Sequence, residues 1–356
     1  MVRILDMYIG RVLASTTFIT LCVFVSVSGI IKFVEQMRAV GRGNYDLAHA
    51  ALYVFYAIPR DIEIFFPMAA LIGGLIGIGM LASNSELVVM QAAGLSRLAI
   101  IKSVMKTAII LILCSMAIGE WLAPKGEAAA REIRAQAISG GSLISSSSGI
   151  WAKDGDYFVH IGEVLDKGAL KDVQIYKFDQ NLQLTSWLHA EDANYIGKSW
   201  QLTEVTDTYL SDTQVETKQY QDYVWTSTLT PDKLGVVTVK PEALSVQGLF
   251  DYLDYLEANG QDTSRYMLAF WRKVIQPLTV AVMLLVALSF IFGPLRSVSM
   301  GARIMMGVFT GILFYIANQV MGSMALVYNL PPLLGALLPS AIFVAVAVYL
   351  MRRKVG

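Results

Sequence analysis

Residues 304–351 contain no charged side chain, and this run constrains the fold more than any other part of the sequence. A membrane-spanning helix needs about 20 consecutive apolar residues, so the run is long enough for two spans. The segment YNLPP at 328–332 divides it, because consecutive prolines cannot continue a helix. The sequence therefore predicts two membrane spans joined by a short turn.

Four further apolar runs have the length of a membrane span. They cover residues 12–31, 64–85, 98–122 and 274–295. Charged residues make up 16% of the chain, against about 25% in soluble proteins. Both observations place the chain in the membrane class. Six spans put the two termini on the same side of the membrane.

Charge is distributed unevenly along the chain. Residues 124–270 hold 21 acidic and 12 basic side chains, whereas the remainder holds 7 and 16. Basic residues mark the cytoplasmic side of a membrane protein. The bases at the termini and in the loops on the same side are Arg3, Arg11, Arg97, Lys102, Lys106, Arg296, Arg303, Arg352, Arg353 and Lys354. This distribution predicts cytoplasmic termini and an acidic insert outside the membrane.

The segment that follows the first span breaks the charge rule. It is predicted to be external, yet it carries Arg38, Arg42 and Arg60, with Lys32 at the end of the span. These cations fit an anionic ligand at the outer interface of the membrane. They equally fit ordinary pairing with lipid headgroups or with nearby acids. The nearby acids are Glu35, Asp46, Asp61 and Glu63.

The acidic insert has the pattern of β-strands from about residue 140 to residue 230. The segment WAKDGDYFVHI at 151–161 predicts a strand, an Asp-Gly turn and a second strand. Turn signals recur about every 8–12 residues, which is typical of an antiparallel sandwich or jelly roll. Helices are predicted on either side, at 124–137 and 244–258, with Gly260 as the stop signal of the second.

A short cytoplasmic helix is predicted between the second and third spans, at 83–94. Ser83 and Glu86 match the S-x-x-E capping box, and Gly94 matches a C-terminal cap. The four apolar residues at 87–90 surround this helix, so it is expected either to rest on the membrane or to insert into a groove of a soluble partner. The second interpretation fits a coupling helix, which transmits the motion of an ATPase to the spans.

Motifs of enzymes are missing from the sequence. It has no G-x-x-x-x-G-K-[ST] phosphate loop, and its histidines His49, His160 and His189 are scattered without metal-ligand spacing. We therefore expect no catalytic residue, no metal and no cofactor in this chain, and no nucleic-acid partner.

Six strings of residues follow one another along nearly the whole chain. They are SGIIKFVE (28–35), IFFPMAA (64–70), SELVVMQAAG (85–94), GEWLAP (119–124), LTPDKLGVV (229–237) and LSFIFGPLR (288–296). In this order they resemble the LptF/LptG family of lipopolysaccharide export permeases. The chain is more similar to the LptG branch than to the LptF branch.

The resemblance implies the fold class of an α-helical membrane protein with six transmembrane helices and an inserted periplasmic all-β domain, a β-jellyroll. Spans one to three, with the coupling helix at 83–94, would occupy residues 1–123. The periplasmic domain would occupy residues 124–270, and spans four to six residues 271–356. The implied location is the cell inner membrane, with cytoplasmic termini and the large domain in the periplasm.

Permeases of this family extract lipopolysaccharide from the outer leaflet of the inner membrane and pass it to a periplasmic bridge for outer-membrane assembly. The implied partners are an LptF-like permease, an LptB-like ATPase dimer that binds the ATP, and an LptC-like bridge protein. The alternative interpretation is a membrane-anchored periplasmic module that binds a lipid, senses a ligand or assists assembly without transport activity.

The resemblance also implies two sets of site residues. Those for the phosphates of the lipid headgroup are Lys32, Glu35, Arg38, Arg60, Arg131 and Arg134. Those for coupling to the ATPase are Glu86, Leu87 and Met90. The position after Arg38 is often basic in the family, whereas this chain has Ala39 there.

Overall fold

The structure is a computed structural model of the 356-residue chain. It describes residues 2–139, 149–165, 168–179, 183–211, 214–231, 233–234, 240–293 and 298–352. Several residues used in the sequence predictions lie outside the described residues. These are 140–148 at the start of the predicted strands, the motif residues 232, 235–237 and 294–296, and the bases Arg353 and Lys354.

The chain divides into two compact units. The first comprises Met1–Lys32, Ala57–Gly126 and Ser264–Gly356, and the second comprises Phe33–Tyr56 and Glu127–Thr263. The second unit therefore contains most of the predicted insert together with the segment that joins the first two spans. Among the described residues, six helices are long and apolar enough to cross a membrane, in agreement with the six predicted spans.

The helices are longer than the apolar runs that predicted them. In chain order they are α1 (Val2–Met37), α2 (Leu47–Ser83), α3 (Glu86–Ala92), α4 (Arg97–Ala117), a π-helical turn (Ile118–Leu122), α5 (Ala123–Ser139), α6 (Val246–Ala258), α7 (Ser264–Phe292), α8 (Met300–Val327) and α9 (Pro332–Arg352). A helix satisfies its own backbone hydrogen bonds in lipid and in water, so it continues past the edge of an apolar run. The predicted turn between α8 and α9 is confirmed, and its Asn329 has a φ of 51°.

Helices α2 and α7 form the centre of the first unit. In the most apolar 18-residue stretch of each helix, 67% of the residues of α2 and 56% of those of α7 are buried. The corresponding shares are 11% for α1 and 22% for α8. Helix α1 approaches α2 closely, because a Cβ atom at Gly73 would lie 2.5 Å from the Cα atom of Thr17. Small residues permit such close contact between membrane helices. The outer helices α1 and α8 leave most of their apolar side chains exposed.

The second unit contains a six-stranded antiparallel sheet in the order β1 to β6. The strands are β1 (Ile150–Asp154), β2 (Tyr157–Val164), β3 (Ala169–Phe178), β4 (Leu184–Ile196), β5 (Ser199–Leu210) and β6 (Val215–Trp225). Each strand pairs with the next one, so the described sheet is a meander. The predicted turn after β1 is confirmed, with Gly155 at a φ of 61°. The antiparallel sheet agrees with the sequence, and the β-jellyroll stays a prediction.

One face of the sheet is apolar and buried, as the alternation along its strands requires. Its buried side chains include Val159, Ile161, Val173, Ile175, Leu188, Ala190 and Val205. Trp200 in β5 is fully buried, and its indole nitrogen donates a hydrogen bond of 2.7 Å to the carbonyl oxygen of Leu229. This bond satisfies the one polar atom that the indole brings into the core.

Helix α6 belongs to the core of the second unit through one of its faces. The buried side chains of that face are Leu249, Tyr252, Leu253, Tyr255 and Leu256. The hydroxyl of Tyr255 donates to the carbonyl oxygen of Lys153 at 2.7 Å, which joins α6 to the end of β1. The neighbouring Phe250 is 54% exposed. The predicted stop at Gly260 is confirmed by its φ of 59°.

Leu249 and Phe250 make a matched pair for a stability test, because they are neighbours in α6 with opposite burial. We expect Leu249→Ala to lower the free energy of unfolding of the second unit by about 2–5 kcal/mol through the cavity that it leaves. Phe250→Ala removes a larger but mostly exposed side chain, and we expect a smaller loss. Hydrogen exchange of the β1–β6 amides in the detergent-solubilised protein measures the loss of stability in each variant. Equal losses would contradict the assigned core.

Candidate functional site

Lys32, a predicted headgroup residue, has a buried carboxylate as its partner. Its Nζ atom lies 2.6 Å from Oδ1 of Asp61 in α2, and Ser28 donates a hydrogen bond of 3.1 Å to the other carboxylate oxygen. The side chain of Asp61 is 4% exposed and that of Lys32 is 27% exposed. The pairing with Asp61 that the composition left open is therefore present. About a quarter of the Lys32 side chain remains exposed at the surface of the first unit.

Arg60 also pairs with a buried acid. Its Nη1 atom lies 2.6 Å from Oε2 of Glu63, and Lys273 of α7 lies 3.2 Å from Oε1 of the same carboxylate. Lys273 in addition donates to the carbonyl oxygen of Gly119 in the π-helical turn, at 3.0 Å. A Cβ atom at Gly119 would come within 3.0 Å of Glu63 Oε1, so the missing side chain makes room for the ion pair.

Lys273 was not among the predicted site residues. The signal in the sequence was its position as a charged residue at the start of the fourth span. Its side chain is 8% exposed, and both of its contacts are inside the first unit. Lys273 and Arg60 together therefore neutralise Glu63 and hold α2, α7 and the π-helical turn in contact.

The turn between α1 and α2 positions the predicted cations of the second unit. This turn lies against α5, since the backbone N–H of Asn44 donates to the carbonyl oxygen of Ala137 at 2.7 Å. Gly43 has a φ of 53°, and a Cβ atom there would lie 2.6 Å from the same oxygen, so glycine is required. A small apolar cluster closes the contact. It consists of Ala39, Tyr45, Ala50 and Ala137, with Phe33 and Ile138 packed against them.

Two of the predicted headgroup cations in the second unit are exposed. Arg38 begins the turn and Arg134 lies on α5, and neither has an ion-pair partner among the residues that the structure describes. Burial raises the pKa of Tyr45, and the positive charge of Arg134 acts on it in the opposite direction, so Arg134 lies near this turn. Arg131, by contrast, pairs with Glu127 at 3.0 Å. Glu35 is exposed on the last turns of α1.

The short helix α3 begins differently from the prediction. The predicted capping box is wrong, because Ser83 remains in α2 and its hydroxyl donates to the carbonyl oxygen of Gly79 at 2.9 Å. The residue before the helix is Ser85, which has a φ of 61° and makes no side-chain cap. The predicted C-terminal cap is confirmed, since Gly94 has a φ of 94° and its N–H bonds back to the last turn.

The apolar residues of α3 divide between two faces. Leu87 and Met90 are 4% and 7% exposed and belong to the core of the first unit. Val88 and Val89 are 52% and 66% exposed. Leu87 and Met90 therefore anchor α3 to its own chain. The apolar side chains that α3 presents outwards are Val88 and Val89, which were not among the predicted coupling residues.

Glu86 is held by α1. The hydroxyl of Tyr8 donates to Oε2 of Glu86 at 2.8 Å, and the Asn84 side chain donates to Oε1 at 3.4 Å. Tyr8 was not predicted, because a tyrosine at the start of an apolar run gives no signal of a contact with a distant residue. These two contacts orient the Glu86 carboxylate while leaving it half-exposed.

The exposed arginines of these sites have the chemistry of anion binding. In the described parts of the chain, no three His, Cys, Asp or Glu side chains are grouped so that they could hold a metal ion. The ionisable side chains of the two predicted sites are cations, their carboxylate partners and Glu86. Exposed arginines bind phosphate through paired N–H donors.

Comparison with known proteins agrees with these features. Residues 7–353 match the family model described as lipopolysaccharide export system permease LptF/LptG. The permease protein LptG of Escherichia coli K12 is 51% identical over 354 residues, which cover 99% of this chain and 98% of that protein. LptG of Haemophilus influenzae Rd is 48% identical over 356 residues, covering 99% of both. The chain therefore belongs to the LptF/LptG family of lipopolysaccharide export permeases.

Proposed function

We propose that this chain is the LptG-type permease subunit of an ABC transporter that moves lipopolysaccharide out of the inner membrane. The observation that carries the proposal is identity of about half of all residues with proteins named LptG over their full length. In the proposed transport cycle the lipid leaves the outer leaflet and passes to a periplasmic bridge. ATP is bound and hydrolysed by a separate ATPase dimer.

The proposed topology puts the termini in the cytoplasm and the sheet of the second unit, as a β-jellyroll, in the periplasm. The excess of basic residues near the termini and of acidic residues in the insert supports this orientation. An apolar path is required because each CH₂ group that moves from lipid into water costs about 0.8 kcal/mol. A sheet that encloses acyl chains along the export route would lower this cost.

The partners proposed for this subunit are an LptF-like permease, an LptB-like ATPase dimer and an LptC-like bridge protein. Helix α3 is the proposed contact with the ATPase. It offers an apolar surface in Val88 and Val89 and a carboxylate in Glu86, whose orientation is fixed by Tyr8. A groove with a basic rim on the ATPase would match this surface.

The proposed headgroup contacts fall into two groups. Arg38 and Arg134 are exposed, so their guanidinium groups are available to phosphate oxygens. Lys32, Arg60 and Arg131 have carboxylate partners, and a phosphate would have to share or replace those partners. We therefore assign the first encounter with the phosphates to Arg38 and Arg134. Lys32, with 27% of its side chain exposed, is the proposed contact of the first unit with the headgroup.

We expect Arg38→Glu and Arg134→Glu each to reduce photo-crosslinking of lipopolysaccharide to the assembled transporter about tenfold or more, because a hydrogen bond to a charged group contributes about 1.5–3 kcal/mol. Lys198→Glu is the matched control, since Lys198 is an exposed cation at the β4–β5 turn of the same unit. Crosslinking that is equally reduced by the control, or unchanged in both arginine variants, would contradict the assignment.

A double-mutant cycle separates the two roles of Lys32. Lys32→Ala leaves the buried Asp61 without its cation, and we expect it to destabilise the protein by up to about 3–5 kcal/mol. Adding Asp61→Asn is expected to restore most of the thermal stability in detergent. The double variant should still crosslink lipopolysaccharide more weakly than wild type. Full recovery of crosslinking would show that Lys32 only neutralises Asp61.

The proposed contact of α3 with the ATPase predicts that Val89→Asp reduces the amount of ATPase that co-purifies with the permease in mild detergent. A charge in an apolar contact loses its hydration without gaining a partner. Val215→Asp is the matched control, because Val215 in β6 is also 66% exposed. If Val89→Asp retains the ATPase as well as Val215→Asp does, α3 is not the contact.

A further inference from the structure

We infer that Arg303 is a positioning residue for export, because it ties the first turn of α8 to the last turn of α2, directly before α3. The inference rests on the proposed function of α3 as the contact with an ATPase. It adds a route by which a movement of α3 reaches α8. Arg303 acts through this contact, without touching the lipid or the ATP.

The side chain of Arg303 is buried between the two helices. It is 2% exposed, and its Nη1 atom donates to the carbonyl oxygen of Gly79 at 2.7 Å and to the hydroxyl of Ser83 at 2.8 Å. A Cβ atom at Gly79 would lie 3.0 Å from Nη1 and 3.2 Å from Cδ. The missing side chain at Gly79 therefore admits the guanidinium to the surface of α2.

Ser83 connects this contact to α3 without a flexible linker. Ser83 is the last residue of α2, and α3 begins at Glu86, so only two residues separate the helices. One of them, Ser85, has a φ of 61°, which makes a sharp reversal of the backbone. Helix α3 is in turn anchored in the core by Leu87 and Met90. A shift of α3 must therefore move the last turn of α2.

Two glycines of α8 also lie directly against α2. Gly307 and Gly311 follow Arg303 at intervals of four residues, so all three share one face of α8. A Cβ atom at Gly307 would lie 2.7 Å from Leu75, and one at Gly311 would lie 3.2 Å from Met68, both in α2. Small sliding movements of packed helices are one way in which a conformational change is transmitted. The Arg303 contact then fixes one end of α8 and makes it the pivot.

A charge is a costly way to join two helices if stability is the only requirement, because apolar residues of similar volume often serve as well. Arginine stays charged and offers several N–H donors in a fixed plane. It can therefore bond two acceptors on one helical turn and keep them in register. A lysine ammonium lacks that planar geometry, which gives a way to test the role.

The test uses the whole transporter, reconstituted with its ATPase in proteoliposomes, and measures ATP hydrolysis and lipopolysaccharide release in parallel. We expect Arg303→Met to assemble and to hydrolyse ATP within about twofold of wild type, while lipid released per ATP falls at least about fivefold, the lower end of typical coupling effects. Arg303→Lys should recover part of the loss. Ser83→Ala, which removes one acceptor, should cause an intermediate loss.

Arg352→Met is the matched control, because Arg352 is an exposed arginine in the last turn of α9. We expect it to leave lipid release per ATP unchanged. Unchanged release per ATP in both Arg303→Met and Ser83→Ala would overturn the inference. So would a parallel fall of hydrolysis and release. If Arg303→Met does not assemble and Ser83→Ala is fully coupled, the role is structural and the inference is overturned as well.

A distance measurement gives a second readout that does not depend on transport. Spin labels at Ala92, the last residue of α3, and at Met305 in α8, both exposed, would be placed in a background with Cys22 and Cys114 replaced by alanine. We expect a narrow distance distribution that ATP does not change in wild type, and a broad one in Arg303→Met. Equal widths would overturn the inference. A wild-type chain that binds no ATPase would instead reject the proposed function.

Discussion

Pairing of buried charges between helices is the interaction on which the first unit depends. Asp61 and Glu63 are each 3% exposed, and carboxylates so far from water are stable only with cations beside them. Each acid has a partner on another helix, since Lys32 belongs to α1 and Lys273 to α7, while Arg60 pairs with Glu63 within α2. The contacts that neutralise the acids therefore also fix the order in which α1, α2 and α7 pack.

This pairing determines which basic residues near the outer interface are available to a ligand. Positive charge in an external loop suggests a free cationic surface, yet Lys32 and Arg60 are largely occupied by Asp61 and Glu63. Of the predicted headgroup cations, the exposed ones are Arg38 and Arg134, and both belong to the second unit. They lie on the turn that includes Gly43 and on α5, which are held together by backbone contacts.

The two outer helices, α1 and α8, are attached to the region of α3 by polar contacts. Tyr8 of α1 bonds Glu86, and Arg303 of α8 bonds Ser83. Both helices bury only a small share of their most apolar stretch. These polar contacts therefore contribute a larger part of the packing of α1 and α8 than they would for α2 or α7. Specific hydrogen bonds at one end therefore hold these two loosely packed helices to the region of α3.

The number of spans, the inserted antiparallel sheet and the turns at Gly94, Gly155 and Gly260 followed from the sequence, because they depend on local properties. A run of apolar residues has to reach across a bilayer, alternation sets the face of a strand, and glycine alone adopts these backbone angles without strain. Family membership was likewise visible in strings of adjacent residues. These features need no knowledge of which distant residues meet.

The partners of charges and hydroxyls were decided only by the packed chain. Asp61 meets Lys32 from 29 positions away, and Arg303 meets Ser83 from 220 positions away. The capping box at Ser83 failed for the same reason, because in the packed protein that hydroxyl bonds the carbonyl of Gly79 and accepts from Arg303. Leu87 and Val88 are equally apolar in the sequence, and only the neighbouring helices determine that the first is buried and the second exposed.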